Sequence, residues 1–337
     1  MKLATIEKVL SKSEIEGADK IELVNVLGWQ VITKKNEFQI GDYCIYIPID
    51  TTVNPLKEYF AFLKDEKNPE TRVRIKTKKL RGVFSQGLVL PVSVLDIVNY
   101  SEGQDVSELI DVQKYEKENI IVQQGSGTNF KPFPTHIISI TDEDNLKTMN
   151  KCLKEFYDKE IYITLKMDGS SMTIIKEIDE FTLCSRRLIL EEGSIMYQYV
   201  NNKKIKERIM EYNLDIAIQG EFCGPKVNGN QMQLKDYEFY VFNIKNIKTK
   251  QYYGYEDILR ICKDLNLKTV PLLSKFVCDS SYTIEKFQQI SNDVVYVTPM
   301  NKKVPGEGIV IRPIIPIYSP ILGKMLSCKV INQNYKD

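Results

Sequence analysis

Histidine is almost missing from this chain: among 337 residues there is one, His136. Ser-His-Asp triads, Cys-His pairs and metal sites with several histidine ligands are close to excluded on that ground. Paired cysteines are missing as well. The seven cysteines stand singly at 44, 152, 184, 223, 262, 278 and 328, with no CxxC. An odd, scattered set argues against a disulfide framework and against structural zinc. No apolar run approaches the length that spans a bilayer. The N-terminus, MKLATIEKVLSKSEIEGADK, lacks both the apolar core of a signal peptide and the acid-poor character of a transit peptide. The expectation is an intracellular monomer without membrane contact, in cytoplasm or nucleus. Nor is there an excess of one charge: 46 Lys and Arg stand against 45 Asp and Glu, a net of +1. A nucleic-acid partner would have to be held by a local patch. Chemistry must rest on Lys, Arg, Asp and Glu, with a carboxylate-bound cation as the available helper.

What is present is an ordinary globular composition, 43% apolar and 27% charged, over a length that suggests two domains. Residues 1–100 read as short apolar runs cut by turn signals: IELVNVLGWQVIT (21–33), YCIYIPI (43–49) and GLVLPVSVL (87–95). Such spacing predicts a small all-β barrel or sandwich. The stretch 112–135 turns polar and rich in Gly, Ser and Pro, as a connecting segment does. Its Gly125-Ser126-Gly127 is no dinucleotide fingerprint, because Phe130 stands where the third glycine belongs. The boundaries are thus a β-rich domain over 1–115, a linker over 116–135 and a second domain over 136–337.

The second domain predicts a mixed α+β fold with much antiparallel sheet. A helix is expected from 141, with Thr141-Asp142-Glu143-Asp144 as its start and Leu146, Met149, Leu153 and Phe156 at helical spacing. Apolar strand-like runs follow at 161–166, 171–176, 181–185, 216–222, 238–244, 308–313 and 325–331. Helical stretches lie near 200–212, 255–265 and 283–294.

The chemistry centres on Lys166-Met167-Asp168-Gly169. Lys166 ends an apolar strand, and Asp168-Gly169-Ser170-Ser171 can turn tightly into the next. On an extended backbone, residues 166 and 168 share a side. A lysine amine attacks only when neutral, and its free pKa is ~10.4. Burial and nearby cations lower that value, whereas a carboxylate alone raises it. A nucleophilic Lys166 therefore needs cationic groups or a metal beside it. Candidates recur at strand ends: Ser185-Arg186-Arg187, Gly220-Glu221, the aromatic run ending Phe242-Asn243, Glu307-Gly308-Ile309-Val310-Ile311-Arg312, and Lys329 in the last strand. Each also has a structural reading. Phe242 and the cysteines can be core, Arg186 and Arg187 a solvated strand end, Asp168 the cap of its own turn, and His136 structural.

Taken in order, KxDG, SR, GE, an aromatic before Asn, EGhVIR (h apolar) and a late Lys resemble the covalent nucleotidyltransferases, which comprise ATP-dependent DNA and RNA ligases and mRNA capping enzymes. The resemblance covers 135–337. It implies that Lys166 forms a lysyl-nucleotide and that Arg186 contacts ribose or phosphate. It further implies that Glu221 holds the ribose hydroxyls, Phe242 stacks on the base and Lys329 contacts the α-phosphate. Glu307, with Asp168, would position Mg²⁺ or Mn²⁺. Phosphoryl chemistry needs in-line positioning and charge neutralisation more than acid–base groups, so the scarcity of histidine costs nothing.

DNA ligases and capping enzymes carry an OB fold after the transferase domain, and here eight residues follow Lys329. The β module comes first instead. Its runs ADKIELVNVLGWQVITKKNEFQIGDYCIYIPIDT (18–51) and TKKLRGVFSQGLVLP (77–91) resemble the leading OB domain of the Naegleria-type ATP-dependent RNA ligases. Arg72, Arg74, Lys76, Lys78, Lys79 and Arg81 lie in ten residues, the first four alternating, so one strand would align them as a nucleic-acid groove or as a guarded edge. Two departures from the family concern basic residues. Ser327 stands two positions before Lys329, with Lys324 nearest, and Ile140 and Asn145 replace a Lys and an Arg around Thr141-Asp142-Glu143. The resemblance implies an ATP-dependent ligase of RNA 3′-OH and 5′-phosphate ends, acting on nicked duplex RNA. A GTP-using capping enzyme, a DNA ligase or a non-enzymatic RNA-binding protein are the alternatives.

Overall fold

The computed structural model describes residues 2–66, 68–69, 71–115 and 131–335. The linker expected at 116–135, with its Gly125-Ser126-Gly127, falls outside the described residues up to 130. The chain divides into two compact units, 1–118 and 119–337.

In the first unit the run at 21–33 folds as the antiparallel hairpin Ile21–Val26 and Trp29–Lys34. Its turn residues Leu27 and Gly28 sit at φ 53° and 79°. Two positive φ values give the turn a twist that matches right-handed strands. Tyr43–Ile47 shows why its sequence does not alternate. Ile45 and Ile47 join one apolar cluster with Ile6, Phe60, Leu90 and Ile110, while Cys44 and Tyr46 join another with Val24, Trp29 and Val31. A strand with core on both faces reads as a continuous apolar run. It pairs antiparallel with Thr5–Lys8 and Leu88–Pro91. The basic run departs from expectation. Val73–Ile75 ends before Lys76, and Lys78–Leu80 begins a separate hairpin with Val83–Ser85. The alternating cations therefore do not share one strand.

The second unit is built on two five-stranded sheets. The first runs in the order Asp144–Asn145, Cys328–Ile331, Gly308–Pro313, Lys159–Lys166 and Leu272–Cys278. The second runs Glu180–Cys184, Ser170–Glu177, Ile216–Cys223, Glu238–Asn246 and Lys268–Thr269. Most pairings are antiparallel, and the short outer pairings of Asp144–Asn145 and Lys268–Thr269 are parallel. Each sheet has its own apolar cluster. Phe287 of the helix Ile284–Asn292 packs with Ile163 and Ile309 on the first. The helices Ile195–Asn202, Ile205–Glu211 and Tyr255–Asp264 bury Met196, Val200, Ile209, Ile258 and Ile261 on the second. Burying each such side chain contributes about 1.5–3 kcal/mol.

No helix starts at 141. Asp144–Asn145 instead pairs with Cys328–Ile331, and Asn150–Phe156 winds as a 3-10 helix. The acids that resemble a helix start are drawn to cations: Asp142 to Arg186, Glu143 to Arg312 and Asp144 to Lys324. Leu146, Leu153 and Phe156 are buried all the same, so the apolar spacing reported burial rather than helix. Leu272–Cys278, which pairs along Lys159–Lys166, is a strand that the sequence pattern did not reveal.

Candidate active site

Lys166 is the last residue of its strand and lies opposite Gly308. Four residues on, Ser170 begins a strand of the other sheet, opposite Phe222. The KMDG segment is therefore the passage from one sheet to the other. Its glycine is compulsory: a Cβ at Gly169 would collide with the Phe222 carbonyl and press on Cys223 and Glu221. Asn228 donates its side-chain amide to the Gly169 carbonyl. Gly308, at φ 153°, is likewise compulsory, since a Cβ there would run into the Val330 carbonyl. The two close approaches bring Glu307 and Glu221 to the same lysine.

Lys166 Nζ stands 2.6 Å from Glu307 Oε1. Burial by itself lowers the amine's pKa, but Glu307, Glu221 and Asp168 outweigh it and hold the amine above the usual lysine range. Glu221 is pushed up to about 8, by burial first, with Glu307 and Asp168 adding to the rise and Lys166 opposing it. Burial also raises Glu307, against the pull of Lys166. Three carboxyl groups thus crowd one ammonium, and the lysine is protonated in this state. Two cations act on this set through its carboxylates. Lys329 acts on Glu307, and Arg186 acts on Glu221.

Two tyrosines outside every quoted motif hold this centre. The Tyr296 hydroxyl donates to the Lys166 carbonyl at 2.6 Å and accepts from the Glu307 amide at 3.1 Å. The Tyr335 hydroxyl donates to Asp168 Oδ2 at 2.6 Å. A lone phenol in a sequence has no spacing to betray it, so neither was legible beforehand. Arg312 closes the run Glu307-Gly308-Ile309-Val310-Ile311-Arg312. It donates to Glu143 at 2.5 Å, to the Phe242 carbonyl at 2.7 Å and to Ser327 Oγ at 2.8 Å. Ser327, which departs from the family's basic residue, is thus an acceptor for Arg312. Lys324 is bound to Asp144 at 2.9 Å.

Phe242 is the extra residue of a β-bulge. Gln219 pairs with Asn243 and Gly220 with Val241, which leaves Phe242 unpaired. A bulge re-aims its side chain, and here the half-buried ring lies against the cluster of the first sheet rather than within its own. Arg186 is ion-paired with Asp142, yet its buried Nε has no hydrogen-bond partner. A buried guanidinium donor without an acceptor fits a ligand oxygen. Among the described residues no three acids, cysteines or histidines are gathered tightly enough to hold a metal alone. A divalent ion here would draw ligands from phosphate and water as well, as Mg²⁺ and Mn²⁺ do, with Glu307 and Asp168 as the protein's oxygen donors. His136 is exposed and outside the site, and all seven cysteines are buried and reduced.

In the first unit the six basic residues divide. Arg72 is fixed by Asp111 at 2.9 Å and by the Thr52 carbonyl at 3.0 Å. Arg74 pairs with Asp50 at 2.6 Å and lies 4.0 Å over the Tyr115 ring. Lys76, Lys78, Lys79 and Arg81 are exposed, and the last three share the hairpin Lys78–Leu80/Val83–Ser85 or its turn.

The RNA ligase family model matches residues 159–324, and an OB-fold domain model matches residues 3–92. No curated protein matches by sequence. Among solved structures, a Naegleria gruberi RNA ligase variant with ATP and Mn is 30% identical with a TM-score of 0.83, over 98% of this chain and 97% of that one. The Naegleria gruberi RNA ligase with PPi is 29% identical with a TM-score of 0.82, over 98% and 97%. An apo variant of that ligase is 29% identical with a TM-score of 0.83, over 98% and 96%.

Proposed function

The chain belongs to the RNA ligase family, and on that premise we propose that it is an ATP-dependent ligase that carries AMP on Lys166 while joining RNA 3′-OH and 5′-phosphate ends. The observation that carries the reading is the lysine itself. Lys166 ends a strand in the crowded set of Glu307, Glu221 and Asp168, with Glu307 at 2.6 Å. Such a set has a surplus of negative charge that a nucleotide phosphate can enter only with a divalent cation.

The reaction runs in three transfers. The Lys166 amine attacks the α-phosphorus of ATP, the bond to the β-phosphate oxygen breaks, and pyrophosphate leaves. The 5′-phosphate of the RNA then attacks the phosphoramidate phosphorus, and Lys166 is released. Last, the RNA 3′-OH attacks the activated 5′-phosphorus and AMP departs. Glu307 first holds the amine as a cation and accepts its proton or surrenders it to solvent as charge is neutralised. A bound Mg²⁺ or Mn²⁺ supplies the positive charge that lets the amine become neutral. Arg186, through its unpartnered Nε, and Lys329, beside Glu307, neutralise phosphate. Glu221 accepts from the ribose hydroxyls, and Phe242 offers a ring to the base. The leading unit adds RNA contact through its exposed hairpin cations. Nicked duplex RNA is the substrate proposed.

The test is incubation with labelled ATP or GTP and a divalent metal, followed by separation of covalent adducts. An AMP adduct on the wild-type chain, lost in Lys166→Ala, supports the reading. A GMP adduct without an AMP adduct would overturn it in favour of capping chemistry. Sealing of nicked duplexes with RNA or DNA on either side then assigns the ends.

A further inference from the structure

The hairpin just before Glu307 has two unlike faces. Val295–Val297 pairs with Lys303–Pro305 in the register Val295↔Pro305, Tyr296↔Val304 and Val297↔Lys303. Tyr296 faces inward, and its hydroxyl ties the hairpin to Lys166 and Glu307. The other face, with the tip, shows water Val297 at 60% and Met300 at 74% exposure, beside Lys302 and Lys303. The tip is well formed: Thr298 exchanges backbone bonds with Lys302 and Asn301, and its hydroxyl accepts from the Lys302 amide at 3.1 Å. Between Val294 and Pro305 the only charged side chains are these two lysines. Among the described residues neither forms an ion pair.

We propose that this outer face is an RNA-strand contact, with Lys302 and Lys303 on backbone phosphates and Val297 and Met300 against sugar or base. Val297 and Met300, both exposed on this one hairpin, offer an apolar contact beside the two lysines. Uncompensated lysines beside them select a polyanion with apolar faces, which describes a nucleic-acid strand. The position follows from Tyr296. At about 3.3 Å per residue at most, the tip at Met300 lies within roughly 13 Å of the Tyr296 backbone, whose side chain is anchored at Lys166. A strand whose end is being activated at Lys166 would pass over it within a few nucleotides. The proposal rests on the RNA ligase reading above.

The experiment uses the full chain carrying Lys302→Glu with Lys303→Glu, and separately Val297→Ser with Met300→Ser. All four positions are exposed, so folding is spared. Adduct formation from ATP without RNA is measured first and should match wild type. Affinity for a labelled nicked RNA duplex is then measured across salt concentrations. The charge variant should bind about tenfold or more weakly, with a log–log salt slope smaller by about 2. The apolar variant should bind more weakly with an unchanged slope. Unchanged affinity and slope in the charge variant would overturn the proposal, as would concentration-dependent self-association of the wild type that the apolar variant abolishes. Binding is read without ATP, so failure of the wild type to form an adduct would count against the role of Lys166 and leave the hairpin result standing.

Discussion

Lys166 and Glu307 face each other at the ends of two neighbouring antiparallel strands, with Nζ 2.6 Å from Oε1. The pair fixes the lysine amine in place and at the same time holds it protonated. In the proposed reaction, positioning and activation are therefore separate events, and the second depends on incoming positive charge.

The pH dependence should show this. The Lys166 amine is held above the usual lysine range by its carboxylate neighbours. At low metal, the rate of adduct formation should rise about tenfold per pH unit between about pH 6 and 9. Added Mn²⁺ lowers the amine's pKa, so the rise should move to lower pH. Single-turnover rates at two metal concentrations check this, and identical profiles would remove the metal from lysine activation.

Glu221 should cost stability that function requires. Its carboxyl is raised to about 8 from 4.5, chiefly by burial. Between those values the folded chain holds a proton that the unfolded chain has lost, so stability falls as pH climbs through the window. Glu221→Gln should raise the melting temperature at pH 8 by about 2–4 °C for each kcal/mol relieved, and little below pH 4.5. The same variant should lose adduct formation. Thermal scans at both pH values decide it.

Tyr296→Phe removes one oxygen and orphans two groups, the Lys166 carbonyl and the Glu307 amide. A loss of about 1–3 kcal/mol is expected in urea unfolding. Adduct formation at saturating ATP should slow by roughly 10- to 100-fold through misplacement of the nucleophile, with the KM for ATP little changed. A rise in KM with an unchanged limiting rate would assign Tyr296 to nucleotide binding instead.

The basic run of the first unit should separate into structural and binding members. Arg72→Met breaks the contacts to Asp111 and Thr52 and should lower stability by about 1–3 kcal/mol. Lys78→Glu with Lys79→Glu leaves stability within about 0.5 kcal/mol and weakens RNA binding in a salt-dependent way. Unfolding and binding measured on both variants check the division.

Much of this protein was written locally. KMDG, GE and EGIVIR stand at strand ends because a reactive side chain needs a rigid backbone and a glycine beside it, and both leave a mark in sequence. The apolar runs 161–166, 171–176, 216–222 and 308–313 are strands as expected, and the stretches expected to be helical near 200–212, 255–265 and 283–294 hold helices, the first divided into Ile195–Asn202 and Ile205–Glu211. Thr141-Asp142-Glu143-Asp144 misled because an acidic run near a helix start looks the same whether its carboxylates meet backbone amides or distant arginines. Arg186, Arg312 and Lys324 decide that question from 44, 169 and 180 residues away. The same holds for the tyrosines. Tyr296 and Tyr335 reach the centre from 130 and 167 residues away, and a single hydroxyl has no periodicity. The sequence by itself pointed to Lys166 as the lysine of the proposed chemistry, because local chain geometry shapes its flanks. Only the tertiary structure decided that this lysine is held as a cation, because its charge depends on carboxylates that folding brings within a few ångströms.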